Sequence, residues 1–452
     1  MGVAERGAVE GAGQWTHQYA DPGNTACSGD PLPTANLEVQ WFGQPGPRGM
    51  VDRHNRTSAP LFMNGRLFVS GMNRLYGVDA YNGTVLWEKD LPGSVRMSVL
   101  KNSGNMALVS DRLYVAAENR CHAFDPQTGE QRTVFSIPPA DAEKGAEWGY
   151  IACVGSVLLG SASRPDPSWK IQNHGSWERG YLDFTPVVCS DSVFALDRHT
   201  GAVLWRQIPR TGVIINPAIA ADGRHVYYLE SGDPQTRQVA NGRVTVAALV
   251  GKDSALVCLD LETGREIWHK PVDLRGLQHN VYLYCADQTL LVAGSQNVEK
   301  KLHFALLALD ASSGEILWRT TTPPFPGDIG GGHGEQDQHP AIVNGIIYTD
   351  SLAYQLRTGT QVPGWKAPKR VGCATISASA RDIFYRGQNP SRAEIATGEE
   401  INLTSVTRPG CWISIIPAGG LVFLPEASSG CTCAYSIQTS LALSPKQTVE
   451  KP

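Results

Sequence analysis

The sequence predicts an all-β chain, an eight-bladed β-propeller of four-stranded antiparallel blades. Two observations predict it. One pattern stands four times, at residues 76–87 (YGVDAYNGTVLW), 194–205 (FALDRHTGAVLW), 257–268 (VCLDLETGREIW) and 306–318 (LLALDASSGEILW), and weaker copies begin at His122, Ala353, Ala393 and Ala434. Each copy reads as a short buried strand, a turn and a second strand. The turn glycines Gly83, Gly129, Gly201, Gly264, Gly314, Gly359 and Gly398 are 46, 72, 63, 50, 45 and 39 residues apart, the spacing of four-stranded blades once insertions are allowed. Asp310 and its equivalents can accept from backbone N–H groups two or three residues on, and Gly314 takes the φ > 0 position that closes such a turn. Both are turn chemistry.

In chain order, residues 1–36 are a polar N-terminal extension or linker rich in Gly, Pro, Asn and Asp, with Trp15 and Tyr19 as anchors onto the body. Residues 37–445 form the single propeller. Residues 37–42 (LEVQWF) match the outer strand of the repeat, with Trp41 standing where Trp87, Trp205, Trp268 and Trp318 stand. Such an orphan strand at 37–43 can close a ring on the last blade and remove its exposed edge; alternatively, the TSLALSP run from Thr439 supplies that strand. The first unit takes its strands from residues 59–63, 66–70, 75–78 and 85–87, and later units begin near Met106, Gly149, Asn216, Val281, Pro340, Thr375 and Trp412. Insertions are expected after Ser163, over residues 230–252, and from Pro323. Residues 446–452 are a tail.

Composition excludes several partners. A net charge of −4 with 18% charged residues offers no basic patch for DNA or RNA. No apolar run is long enough for a transmembrane helix. The residues after Met1 lack the apolar stretch of a secretory leader, which leaves a cytoplasmic chain or one whose export signal lies upstream and whose home is extracytoplasmic, such as the periplasm. Cys121, Cys153, Cys189, Cys258 and Cys285 sit in apolar runs as small hydrophobes, while Cys27, Cys373, Cys411, Cys431 and Cys433 lie near turns without zinc-finger spacing.

The repeated Asp, Gly and Trp at 79, 83 and 87, at 197, 201 and 205, at 260, 264 and 268, and at 310, 314 and 318 resemble the quinoprotein alcohol dehydrogenase-like superfamily, the PQQ-like β-propeller repeats. The resemblance covers roughly residues 57–443 and implies eight blades, with each Trp packed between neighbouring sheets. The superfamily's dehydrogenases hold their quinone beside a vicinal Cys-Cys disulfide. This chain has no adjacent cysteines, Cys431-Thr432-Cys433 being the nearest approach, so bound PQQ is not expected. A quinone-dependent alcohol dehydrogenase remains one alternative. Another branch of the superfamily, which resembles the lipoprotein propeller of outer-membrane assembly, implies a second: a non-catalytic scaffold for a protein partner.

The unusual polar clusters fall on one face. In an up-and-down blade the loops between blades and those joining second to third strands open together, opposite the Asp-x-x-x-Gly turns. Asp52, Arg53 and His54 precede the first unit; His174, Trp177, Glu178, Arg179 and Tyr181 occupy the insertion after Ser163; His333, Glu335, Asp337 and His339 precede the sixth unit; Arg408 and Cys411 precede the eighth, which carries Cys431 and Cys433. Loops converging over a channel make a binding site. Alternation would point His333, Glu335, Asp337 and His339 one way, a donor set for Zn, Cu, Mn or Ca. Cys431 and Cys433 suit a soft metal or a disulfide. In the catalytic reading, His54, His174 or Tyr181 moves a proton while Arg53 or Arg179 holds a carboxylate. Asp52, Trp177, Glu178 and Arg408 line the ligand. The expected function is a polar, metal-bearing ligand or catalytic site at one channel mouth, acting on or binding carbohydrate, an acidic sugar above all, by β-elimination or hydrolysis.

Overall fold

A computed structural model describes residues 8–34, 36–51, 55–168, 170, 186–325, 337–368, 370, 375–387, 389–407, 409–413, 415–424 and 437–446. Its strands form seven sheets, five of them four-stranded, one three-stranded and one nine-stranded. Every strand pair is antiparallel, as in Leu61–Met63, Arg66–Gly71, Arg74–Asp79 and Val85–Asp90 of the first sheet. The nine-stranded sheet holds two successive meanders, one beginning at Glu147–Val154 and the other at Ile214–Ala221, which share hydrogen bonds where Cys189 pairs with Ile215. The three-stranded sheet, residues 341–355, lacks its expected outer strand. There Pro363 has no N–H to give and Gly364 turns at φ 81°, so the pairing shrinks to a bridge between Tyr354 and Gln361.

First strands lie side by side. Leu61–Met63 neighbours Met106–Val109, which neighbours Glu147–Val154, then Ile214–Ala221 and Val281–Ala286; Ala341–Val343, Ser377–Ala378 and Ile416–Ala418 continue the series. The sheets therefore radiate from an axis, with their apolar faces packed against one another.

The turn chemistry is visible at each strong repeat. Asp310 Oδ1 accepts from the N–H groups of Ser312 and Ser313 at 3.1 Å, and the Gly314 N–H returns to the Asp310 carbonyl at 2.8 Å. Those donors hold the Asp310 carboxyl below the ordinary carboxylate range, the Ser312 hydroxyl contributing most.

Each outer-strand Trp locks onto the turn of the next repeat unit. The Nε1 of Trp41, Trp87, Trp205, Trp268 and Trp318 donates to the carbonyls of Ala80, Pro126, Leu261, Ala311 and Leu356 at 2.7–3.2 Å. The ring lies flat on the turn glycine. A Cβ on Gly129, at φ +67°, would stand 2.5 Å from Trp87 Cδ2, and one on Gly83 2.5 Å from Trp41 Cε3, so these positions need glycine for the backbone and for the ring. Where the second unit has no Trp, Phe135 takes the place against Gly201.

Trp41 also closes the ring. Leu37–Gly43 pairs with Ser440–Pro445, Trp41 opposite Ala442, and so becomes the outer strand of the last sheet. Ser440–Pro445 is the third strand of that sheet rather than the outermost.

Residues 13–30 run once around the axis and touch every sheet in turn. Trp15 bridges Phe62, the Thr16 carbonyl accepts from Leu108, and His17 Nε2 accepts from the Cys153 N–H at 3.1 Å. The carbonyls of Pro22, Gly23, Thr25 and Ala26 then accept from Ala221, Cys285, Ile342 and Ala378 at 2.8–2.9 Å. Gly13 and Asp30 finally meet Gly419 and Gly420. All these partners lie at the ends of first strands beside the Asp-x-x-x-Gly turns, since the Gly65 carbonyl accepts from Ala80 and that of Gly345 from Leu356.

Replacing Trp87 by Ala should lower the unfolding free energy by about 3–5 kcal/mol, the usual result of truncating a buried Trp. Urea denaturation checks it. Gly129→Ala should destabilise too, whereas the same change at Gly155, where a Cβ meets nothing within 4 Å, should be felt only through its positive φ.

Candidate functional site

At the opposite end of the first strands, the segments that lead into them bring a charged and aromatic cluster to the axis. Asp337 is its anion. It is 1% exposed, and its two oxygens accept from Arg56 Nη1 at 2.9 Å and Lys101 Nζ at 2.7 Å. Burial pushes its pKa up, but the charges and hydrogen bonds of Lys101 and Arg56 outweigh burial and hold it below the ordinary 3.8. Lys101 also donates to the His279 carbonyl at 2.6 Å.

Arg56 and Trp412 touch, the guanidinium 5.9 Å over the indole. Both have positive φ, 48° and 77°, a conformation bulky residues seldom hold without a surrounding structure that requires it. Trp412 Nε1 donates to the Tyr19 hydroxyl at 3.2 Å, and the Tyr19 ring stacks on His339 with centroids 3.7 Å apart. Tyr284 and Tyr282 stand 4.7 and 4.9 Å from the same imidazole. Burial pushes the His339 pKa down to about 3. Its Nδ1–H donates to the Pro340 carbonyl, so Nε2 presents a lone pair.

A neutral network adjoins this cluster. Asn216 Nδ2 donates to Asn102 Oδ1 at 2.9 Å and to Ser163 Oγ at 3.0 Å, while Ser190 Oγ donates to Asn216 Oδ1 at 2.6 Å. Asn102 in turn donates to Ser168 at 2.8 Å. Gly149 leaves the room for it, because a Cβ there would stand 2.5 Å from both Ser161 Oγ and Ser163 Oγ. Arg96 is buried nearby, donating to the carbonyls of Trp148 and Gly149, and burial pushes its pKa down to about 10. The space left between this network and residues 17–24 is a cavity of about 20 Å³, room for a single water.

Of the residues chosen from sequence, Asp337 and His339 lie in this cluster, but in different roles: Asp337 answers two cations, and His339 is packed among tyrosines. Asp52, Arg53, His54, His174, Trp177, Glu178, Arg179, Tyr181, His333, Glu335, Arg408, Cys431 and Cys433 lie outside the described residues. Their neighbours in the chain do meet. Arg56, just after residues 52–54, binds Asp337, just after residues 326–336, and lies over Trp412; Ser168, shortly before residues 171–185, binds Asn102. Among the described residues no group of three or more His, Cys, Asp or Glu is placed to hold a metal. Among the described residues, Cys27, Cys121, Cys153, Cys189, Cys258 and Cys285 form no disulfide.

Lys101, Asn102, Asn216, Tyr282 and Tyr284 escaped the reading of the sequence, and Tyr19 was read as an anchor of the N-terminal segment without its partners. A signal was available for some. Lys101, Asn102, Asn105, Asn216, His279 and Asn280 stand just before or at the start of first strands, where polar residues interrupt apolar runs and the topology points them at the axis.

Asp337→Asn should destabilise the fold by about 3–5 kcal/mol at neutral pH, because Arg56 and Lys101 are left as uncompensated buried charges. The sign of its pH dependence follows from the depressed pKa. The carboxylate's contribution is complete above the ordinary value of 3.8 and is lost as pH falls through the lower folded value. The stability gap between wild type and variant should therefore begin to narrow in acid, as measured by urea denaturation from pH 7 down to pH 3.

The model of the family described as "Outer membrane protein assembly factor BamB", PQQ_2, matches residues 49–148, 189–328 and 252–388. Polyvinylalcohol dehydrogenase of Sphingopyxis sp. (strain 113P3) is 32% identical over 144 residues, and that of Pseudomonas sp. is 31% identical over 144 residues. Each match takes in 29% of this chain and only 20% of the relative, so the chain spans about a fifth of the length of these curated relatives. In fold, the chain is similar to the quinohemoprotein alcohol dehydrogenase of Comamonas testosteroni, with a TM-score of 0.59 and 15% identity over 97% of this chain and 82% of the other. It is also similar to a europium-containing methanol dehydrogenase, with a TM-score of 0.54 and 13% identity over 87% of this chain and 86% of the other. With the tryptophan-locked repeat, the radial sheets and a family match over more than half its length, the chain belongs to the PQQ-like β-propeller repeat family of the quinoprotein superfamily.

Proposed function

We propose that the protein is an eight-bladed propeller, with the nine-stranded sheet counted as two fused blades, that binds an acidic carbohydrate over the mouth opposite the repeat turns. The observation that carries this reading is the charge buried at that end. Among the described residues, Arg56 and Lys101, both 5% exposed or less, share the buried Asp337 carboxylate, and Arg96, 6% exposed, lies beside the Asn216 network with its guanidinium on backbone carbonyls. In a chain of net charge −4, this leaves a local positive excess where the surroundings screen it least. A uronate carboxylate answers that field, and Arg53, Arg179 and Arg408, which the sequence assigns to the same face, would add to it. The low pKa of Asp337 makes it an anchor for the two cations and a poor base. If the bound sugar is cleaved, proton transfer falls to His54, His174 or Tyr181, and a metal held by His333, Glu335 and their neighbours would polarise the sugar's carboxylate.

A second reading, an alcohol dehydrogenase, is favoured by the similarity to the polyvinylalcohol dehydrogenases. The described residues do not build a slot for a planar quinone. The axial cavity of about 20 Å³ is far below the roughly 300 Å³ or more of a cofactor pocket, and no two cysteines are adjacent. No step is derived through that group.

Calorimetric titration should show an oligogalacturonide binding more tightly than a neutral oligosaccharide of equal length, with affinity falling as salt rises. Lys101→Met, once thermal melting shows it folded, should weaken the uronate about tenfold or more, the effect of losing one charge-assisted contact. Equal binding of the neutral sugar would sink this reading. A visible quinone absorbance with alcohol-dependent dye reduction would favour the second.

A further inference from the structure

We propose that residues 13–30 are a stopper that is separable from the ring: they seal the channel at the repeat-turn end and open before the sheets unfold. The seal follows from the circuit. A segment that bonds once or twice to each sheet around an axis, and sends Tyr19 inward to His339 and Trp412, leaves a space of about 20 Å³ between itself, the first strands and the network of Asn102 and Asn216. The fit is close. A Cβ on Gly23 would stand 2.2 Å from the Cys285 carbonyl oxygen.

Separability follows from what holds each part. The ring is closed elsewhere, by the pairing of Leu37–Gly43 with Ser440–Pro445 and by Trp41 on the first sheet. The stopper is held by isolated backbone hydrogen bonds, by Trp15, Tyr19, Ala20 and Ala26 buried in the core, and by the side chains of His17, Gln18 and Asp30, which accept from the N–H groups of Cys153, Ala59 and Gly420. Asn24 adds side-chain bonds to the carbonyls of Ile219 and Leu283 at 2.8 and 2.9 Å. With four buried apolar side chains in its eighteen residues, the segment opens at lower free energy than the sheets it rests on, whose strands are apolar along their length.

Native-state hydrogen exchange on the whole chain tests this. The N–H groups of Leu108, Ala221, Cys285, Ile342 and Ala378, which donate to the stopper, should exchange together, faster than mid-sheet amides such as Leu291 and Ala308 and far slower than free peptide. Alkylation of the buried Cys285 thiol should follow the same opening. Gly23→Ala, which drives a methyl group into fixed backbone, should speed that group about tenfold or more and leave the mid-sheet amides unchanged. Exchange of the group at the mid-sheet rate would show the stopper to be inseparable from the ring, and exchange at the free-peptide rate would show it unseated. Either result overturns the proposal, and the wild-type measurement decides it even if the variant does not fold.

Discussion

The fold depends on one contact made again and again: an indole lying on a glycine. A four-stranded sheet alone has two apolar faces and a free edge, so it must be stacked, and the stacking needs a register. The outer-strand Trp supplies it. Its ring covers the turn glycine of the next repeat unit and its Nε1 donates to a carbonyl of the same turn, so apolar burial and a directional bond locate the neighbour together. The Asp carboxylate that shapes the turn is thus two steps from the lock. Asp makes the turn, the turn presents the glycine, and the glycine receives the ring. Trp41 extends the same device across the gap between the two ends of the propeller.

Much of this was legible because it is local. Asp79, Gly83 and Trp87 sit within one hairpin, and the period-two apolar runs show which strands are buried. What was less legible was where hydrogen bonding ignores blade boundaries. Cys189 and Ile215 pair across two units and merge two blades into one sheet, and Pro363 with Gly364 reduces an outer strand to a bridge. Neither effect changes the repeat pattern. Phe135 was hidden for the opposite reason, since it does the work of a Trp without matching the motif.

The site was legible only at its rim. Residues that break the repeat stand out, and Asp337 and His339 were among them, but their partners were not. Arg56, Lys101 and Tyr19 are 281, 236 and 320 residues from Asp337 or His339 and meet them only because the ring closes. No spacing rule reaches so far. Residues 13–30 are the extreme case. With their Gly, Pro, Asn and Asp they read as a linker, yet the same small and polar residues suit a segment that must pass close to every sheet and bond through its backbone. Two kinds of closure result. The tryptophan lock closes the ring, and the N-terminal segment closes one end of the channel. At the other end, Arg56 and Lys101 share the buried Asp337 carboxylate.

A crystal structure of the protein soaked with an oligogalacturonide tests this account most directly. The account predicts sugar density over the Arg56, Asp337 and Lys101 cluster at the mouth opposite the repeat turns, with residues 13–30 in place beneath it. Density for the sugar among the Asp-x-x-x-Gly turns, or an open channel where residues 13–30 should lie, would contradict it.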